Sequence, residues 1–202
     1  MKLLLFSDVH VSKRYCQRLV EMAEEADLVV GAGDFGAMRR GIQKTIDWLK
    51  DIRKPAVLVP GNAESYEELQ EAAANWPTSV VLHGNGTELM GISFFGIGGG
   101  IPITPFGSWS YDFTEEQAVH LLKDCPENAV LVSHSPPKGM LDVSSSGQHF
   151  GSEEVRNVIE VKTPQLVVCG HIHESGGNKT ELGDTDIVNA GPKGMYYDID
   201  IP

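Results

Sequence analysis

The sequence predicts an α/β fold, and three observations carry the prediction. Short apolar runs of strand length alternate with stretches of helical period. The residues just after those runs include four of the seven histidines. A last segment has no helical period and reads as strands. In order, strands are expected at 3–6, 28–30, 57–59, 80–82, 92–97, 130–132 and 166–169, and helices at 13–25, 39–51, 66–75, 115–123 and 152–161. The stretch 180–201 reads as a meander, with Gly183-Asp184 as a hairpin turn.

The 202 residues suit one core, so a single domain over 1–202 is expected. Hydrophobic residues at 41% and charged residues at 22% exclude a disordered or fibrous chain. With 16 Lys and Arg against 28 Asp and Glu, the net charge of -12 argues against a nucleic-acid polymer as partner, because such binding relies on basic side chains displacing counterions. Small phosphate esters remain compatible. Three cysteines, Cys16, Cys125 and Cys169, give neither a disulfide framework nor metal-finger spacing, which suggests a reducing, cytoplasmic setting. Asp8 and His10 end the apolar run at Met1–Phe6 below signal-peptide length, and no run reaches the roughly 18 apolar residues of a membrane span.

The chemistry lies in the segments just beyond the strands: Ser7-Asp8-Val9-His10, Gly31-Ala32-Gly33-Asp34, Pro60-Gly61-Asn62, Ser133-His134-Ser135 and Gly170-His171-Ile172-His173. In an open α/β sheet ligands bind beyond the carboxyl ends of the strands, so these five clusters should converge. Residues i and i+2 of an extended segment point to one side, so Asp8 with His10, and His171 with His173, can each bracket a metal. Gly33, Gly61 and Gly170 would let backbones approach closely. Two carboxylates among imidazoles repel each other unless cations lie between them.

In this order, Asp8-x-His10, Gly33-Asp34, Gly61-Asn62, His134 and Gly170-His171-x-His173 resemble the motifs of the calcineurin-like metallophosphoesterase family. The resemblance implies a four-layer α/β/β/α sandwich of two mixed sheets flanked by helices. It also implies that Asp8, His10 and His173 hold one divalent cation, that Asn62, His134 and His171 hold a second, and that Asp34 bridges the two. The donors suit Mn, Fe, Zn, Co or Ni. Such ions, ~3.5–4 Å apart, would share a hydroxide that attacks phosphorus in line with the departing oxygen. The implied activity is that of a phosphoesterase, with small diesters as the favoured substrates and Asp34, Asn62 and His134 in the catalytic set. The alternative is a scaffold for protein interactions, but all seven metal positions carry usable donors.

One departure stands out. Many family members carry a histidine directly after Gly-Asn, assigned to protonate the leaving group, and here that place is Ala63. Either water supplies the proton, so that esters of acidic alcohols react best, or another side chain substitutes, or catalysis has weakened. The candidate substitute is His149, in the loop Gly147-Gln148-His149-Phe150-Gly151. Among other residues, Glu64 reads as a helix N-terminal acid, with a hydrogen bond to a histidine behind the metal ligands as the alternative, Arg39-Arg40 as part of a helix, His83 as a surface or strand-end residue and Asn189 as a turn. Gly98-Gly99-Gly100 reads as a plain loop, with a substrate lip formed together with Phe106 and Trp109 as the alternative.

Overall fold

In the computed structural model, which describes residues 1–200, the chain builds two sheets packed face to face. The first comprises β1 (Lys2–Phe6), β2 (Leu28–Gly31), β3 (Ala56–Leu58), β4 (Ser79–Val81) and β11 (Met195–Asp198), in the order β11-β1-β2-β3-β4. The second comprises β5 (Asn85–Leu89), β6 (Ile92–Ile97), β7 (Val130–Ser133), β8 (Leu166–Cys169), β9 (Asn178–Leu182) and β10 (Thr185–Asn189), in the order β5-β6-β7-β8-β10-β9. The central pairs are parallel, whereas β5, β9 and β11 pair antiparallel at the edges, so both sheets are mixed.

The apolar runs are continuous because both faces of each sheet are covered. Side chains alternate along a strand, so Leu3 and Leu5 of β1 face the second sheet and meet Phe94, Val132 and Val168 in the central core. Leu4 and Phe6 point the other way and pack with Leu19, Ile46, Leu69 and Trp76 of the outer helical layer and its flank. That layer is α1 (Lys13–Ala23), α2 (Ile42–Leu49) and α3 (Tyr66–Ala73). On the far side, Phe95, Leu131 and Val167 pack against α4 (Glu115–Leu122) and α5 (Glu153–Lys162). Four layers result, as the resemblance implied.

Helix starts follow local chemistry. Ser65 and Thr114 form capping boxes with Glu68 and Gln117, while Ser12 and Ser152 cap α1 and α5 through their hydroxyls. Three readings change. The helix expected at 39–51 begins only at Ile42, because Ala37 and Arg40 bond to each other across a turn in which Met38 and Arg39 take positive φ; Arg39-Arg40 is therefore not helical. The strand Asn85–Leu89, rich in polar residues at an exposed edge, gave too weak an apolar signal to be expected. Residues 180–201 are not one meander: β9 and β10 form the hairpin at Gly183-Asp184, but β11 crosses to the first sheet and pairs with β1. Ile201 lies outside the described residues.

All three cysteines are free and buried. Among the described residues no helix is long and apolar enough to cross a membrane.

Candidate metal centre

The parallel strands of both sheets end at one edge, where their loops meet. Successive residues of the β1 loop bond to the β2 loop, Asp8 N–H to Gly33 O at 2.9 Å, His10 N–H to Asp34 O at 3.0 Å and Val11 N–H to Phe35 O at 3.1 Å. Asp8, His10, Val11, Asp34 and His171 all take left-handed backbone conformations, at φ between 42° and 68°. This corrects the extended i, i+2 geometry expected for Asp8 with His10 and His171 with His173. Non-glycine residues in this region cost about 1–3 kcal/mol each and persist only where their surroundings fix them.

The result is convergence of seven side chains. His10 Nε2 lies 3.1 Å from His173 Nε2 and 3.5 Å from Asp34 Oδ2, and His173 Nε2 lies 3.6 Å from Asp8 Oδ1. Asp8, His10, Asp34 and His173 form a candidate metal site, with one donor atom of each within 4.8 Å of the others. Beyond Asp34 is a second group. His134 Nε2 lies 3.5 Å from Asp34 Oδ1 and 3.2 Å from Asn62 Oδ1, and His171 Nδ1 lies 3.1 Å from that same amide oxygen. His171 therefore turns away from His173 to join Asn62 and His134.

The donor chemistry fits cations. His10 and His134 each donate Nδ1–H to a backbone carbonyl, of Gly36 at 3.0 Å and Ala32 at 2.8 Å, which leaves a lone pair on each Nε2 aimed inward. Asn62 Nδ2 donates to Ser110 Oγ at 3.0 Å, and Ser110 donates to Asp112 at 2.7 Å, so the Asn62 amide oxygen also points inward. Lone pairs facing lone pairs call for a positive charge between them.

Electrostatics agree. Burial pushes the Asp8 carboxyl up, but bonding to His173, the charge of His134 and the Ser7 hydroxyl bring it down to about 2, so it is an anion at neutral pH. Burial lowers His134, yet Asp34 and Asp8 together hold it above its ordinary value; the bond to Asp8 raises His173. Burial and the neighbouring His134 hold His171 down to about 3, leaving a neutral ring able to donate its lone pair. Asp34 is fixed further by the Ala63 N–H at 2.8 Å and Asp8 by the His171 N–H at 3.1 Å.

Glycines make the approach possible. A Cβ on Gly33 would lie 2.5 Å from His134 Nδ1, one on Gly170 2.6 Å from Asp8 Oδ2, and one on Gly61 would collide with the Asp34 carboxylate and N–H.

Several residues play parts the sequence did not announce. Glu64 is fully buried, and instead of serving as a helix N-terminal acid it accepts N–H bonds from Gly61 at 2.7 Å, Phe35 at 3.2 Å and Gly36 at 2.8 Å, tying the β2 loop to the β3 loop. Burial and the nearby Asp34 push its carboxyl up to about 7, against the pull of the Gly61 and Gly36 N–H groups. Asn189 ends β10 and donates to the Gly170 and Ile172 carbonyls at 3.0 Å each, holding the His171 loop, so it is not a turn residue. His83 is part-buried at the end of β4, where it accepts the Gly98 N–H at 3.1 Å; burial lowers its pKa to about 4. The glycines at 98–100 are buried.

His149 is not brought to this cluster. Its half-exposed ring bonds the buried Asp142 carboxylate at 2.7 Å through Nδ1, and it is not among the residues lining the cavity over the site. That cavity, of about 450 Å³, opens over His10, Asp34, His171 and His173 and is walled by Met38, Ala63, Phe106, Trp109 and Phe150.

Fold and site define a metallophosphoesterase. The chain belongs to the calcineurin-like phosphoesterase family, whose sequence pattern matches residues 1–175. It is 31% identical over 115 residues to the UPF0046 protein T07D4.2 of Caenorhabditis elegans, a match covering 55% of this chain and 28% of that protein, so the similarity spans under a third of the relative's length. Among solved structures, it is similar to TT1561 of Thermus thermophilus, with 21% identity, a TM-score of 0.72 and coverage of 95% of this chain and 90% of that one. It is also similar to the phosphopantetheinyl hydrolase of Mycobacterium tuberculosis, with 14% identity, a TM-score of 0.53 and coverage of 94% and 88%. At these identities the structural likeness is one of fold.

Glu64→Gln would place an amide N–H₂ against an N–H donor, of Gly36 or of Gly61 and Phe35. The variant should lose about 1–3 kcal/mol of stability, read as a lower midpoint in urea unfolding followed by circular dichroism. An unchanged midpoint would show that the staple contributes nothing.

Proposed function

We propose that this protein is a phosphodiesterase for small phosphate esters that works with two divalent cations sharing Asp34. The observation that carries this reading is the placement of one carboxylate between two donor sets, with Oδ2 3.5 Å from His10 Nε2 and Oδ1 3.5 Å from His134 Nε2. Asp8, His10 and His173 complete one site; Asn62, His134 and His171 complete the other. Mn, Fe, Zn, Co and Ni all suit these nitrogen and oxygen donors. Bound there, such cations would acidify a water for in-line attack on phosphorus and neutralise the non-bridging oxygens.

The chain's own residues have distinct tasks. Asp34 sets the spacing of the two donor sets, the Ala32 carbonyl orients the His134 ring, and Ser110 keeps the Asn62 amide oxygen facing inward. A diester carries one negative charge where a monoester carries up to two, and the cavity lining has no Lys or Arg to balance the second. The cavity of about 450 Å³ and the net charge of -12 favour small substrates over polyanionic strands.

Ala63 lines the cavity without a group that can move a proton. We assign protonation of the leaving group to solvent, so that turnover depends on the acidity of the departing alcohol. His149 is the alternative donor.

Three measurements test this reading. Purified protein supplemented with Mn²⁺, Ni²⁺ or Zn²⁺ should take up close to two ions per chain and hydrolyse a chromogenic diester, and Asp34→Asn should lower both metal content and turnover to background. Metal uptake with no turnover on any ester would leave a binding scaffold instead. Ala63→His should speed unactivated alkyl esters by up to ~10²–10⁴-fold, the usual contribution of a general acid, with a smaller effect on activated ones. A parent enzyme that already hydrolyses both at similar rates would contradict the assignment. His149→Ala should leave the leaving-group dependence unchanged; a steeper dependence would move the proton-donor role to His149.

A further inference from the structure

The cavity is unlike its floor. Below are charged and metal-ligating groups; above are large apolar side chains facing water. Phe106 and Met38 are 51% and 62% exposed and line the cavity together with Trp109, and large apolar residues grouped at a polar site usually mark what the site binds. Phe106 and Trp109 stack with ring planes 16° apart and centroids 5.7 Å apart. Both come from the segment between β6 and α4, while Met38 comes from the left-handed turn after β2.

The segment is held at its base. Thr104 donates its hydroxyl to Asp112 at 2.7 Å, Ser110 donates to the same carboxylate at 2.7 Å, and Tyr111 N–H bonds the Asn62 carbonyl at 2.9 Å. A platform anchored in this way loses little freedom when a ligand ring adds to it. Ala63 lines the same cavity.

Resting on the reading of the floor as a phosphate-ester site, we propose that Phe106 and Trp109 are specificity-determining residues that select esters carrying a flat aromatic alcohol portion. The phosphate sits on the metal-ligating floor. The aromatic ring of the ester then extends the Phe106–Trp109 stack, with Met38 across the cavity. Thr104, Ser144, Ser145 and Ser146 also line the cavity, but the faces of Phe106, Trp109 and Phe150 give its wall the flat apolar surface that an aromatic ring would cover.

The test compares methyl phenylphosphonate with methyl cyclohexylphosphonate, monoanions that match in size and charge and differ in flatness, by calorimetric titration of the Mn²⁺-loaded protein. The parent should bind the phenyl compound roughly 2- to 10-fold more tightly, the increment of an aromatic pair. Trp109→Ala and Phe106→Ala should each bring that ratio towards one. Equal affinities in the parent, a ratio untouched by both substitutions, or no binding of either compound would overturn the proposal. Because the readout is binding, a protein that prefers methyl phenylphosphonate yet hydrolyses no ester would refute the phosphodiesterase reading and leave the aromatic selection standing.

Discussion

Asp8 and Asp34 are buried where the ends of two sheets meet, and an ionised carboxylate out of water is tolerated only when its charge is answered nearby. Backbone N–H groups from Ala63 and His171 and the hydroxyl of Ser7 supply part of that answer. The surrounding architecture follows from this need. Two sheets must end at one edge, because β1, β2 and β3 bring the carboxylates and Asn62 from one side while β7 and β8 bring His134 and His171 from the other. The central core of Leu3, Val30, Val57, Phe94, Val132 and Val168 fixes the distance between those two sources.

Such a junction is built from strained parts. Five residues in the β1, β2 and β8 loops hold left-handed backbone, and the hydrogen bonds that fix them run between loops more than within them. Glu64 joins the β2 and β3 loops, and Asn189 joins β10 to the loop after β8. Rigid elements under short, cross-linked loops hold the converging side chains in place.

Much of the fold was legible because burial on both faces of the sheets writes continuous apolar runs, as at 3–6 and 166–169, and serine and threonine caps sharpen the helix starts. The convergence of Asp8, His10, Asp34, Asn62, His134, His171 and His173 could be anticipated from their placement after strands. Their backbone could not: left-handed φ at Asp8 and His171 is imposed by contacts with Gly33 and Asp8, distant in sequence. The same applies to Ser110, which holds Asn62 from 48 residues away, and to β11, whose crossing to the first sheet leaves no mark in its own alternating pattern. Glu64 and Asn189 were misread for one reason, since a polar residue in a loop looks alike whether it faces water or bonds buried backbone groups.

The hydroxyl of Ser110 sits between two functions. It holds the amide of Asn62, and it belongs to the same short segment as Phe106 and Trp109. With Asn62 as the cation donor proposed above, any shift of that segment on meeting a ligand would reach the donor through a single hydrogen bond. Cation affinity and ester affinity would then be linked quantities, each changing the other by the same factor, as thermodynamic reciprocity requires. The supply of cations would then tune how tightly the proposed ester is held, apart from any effect on its cleavage.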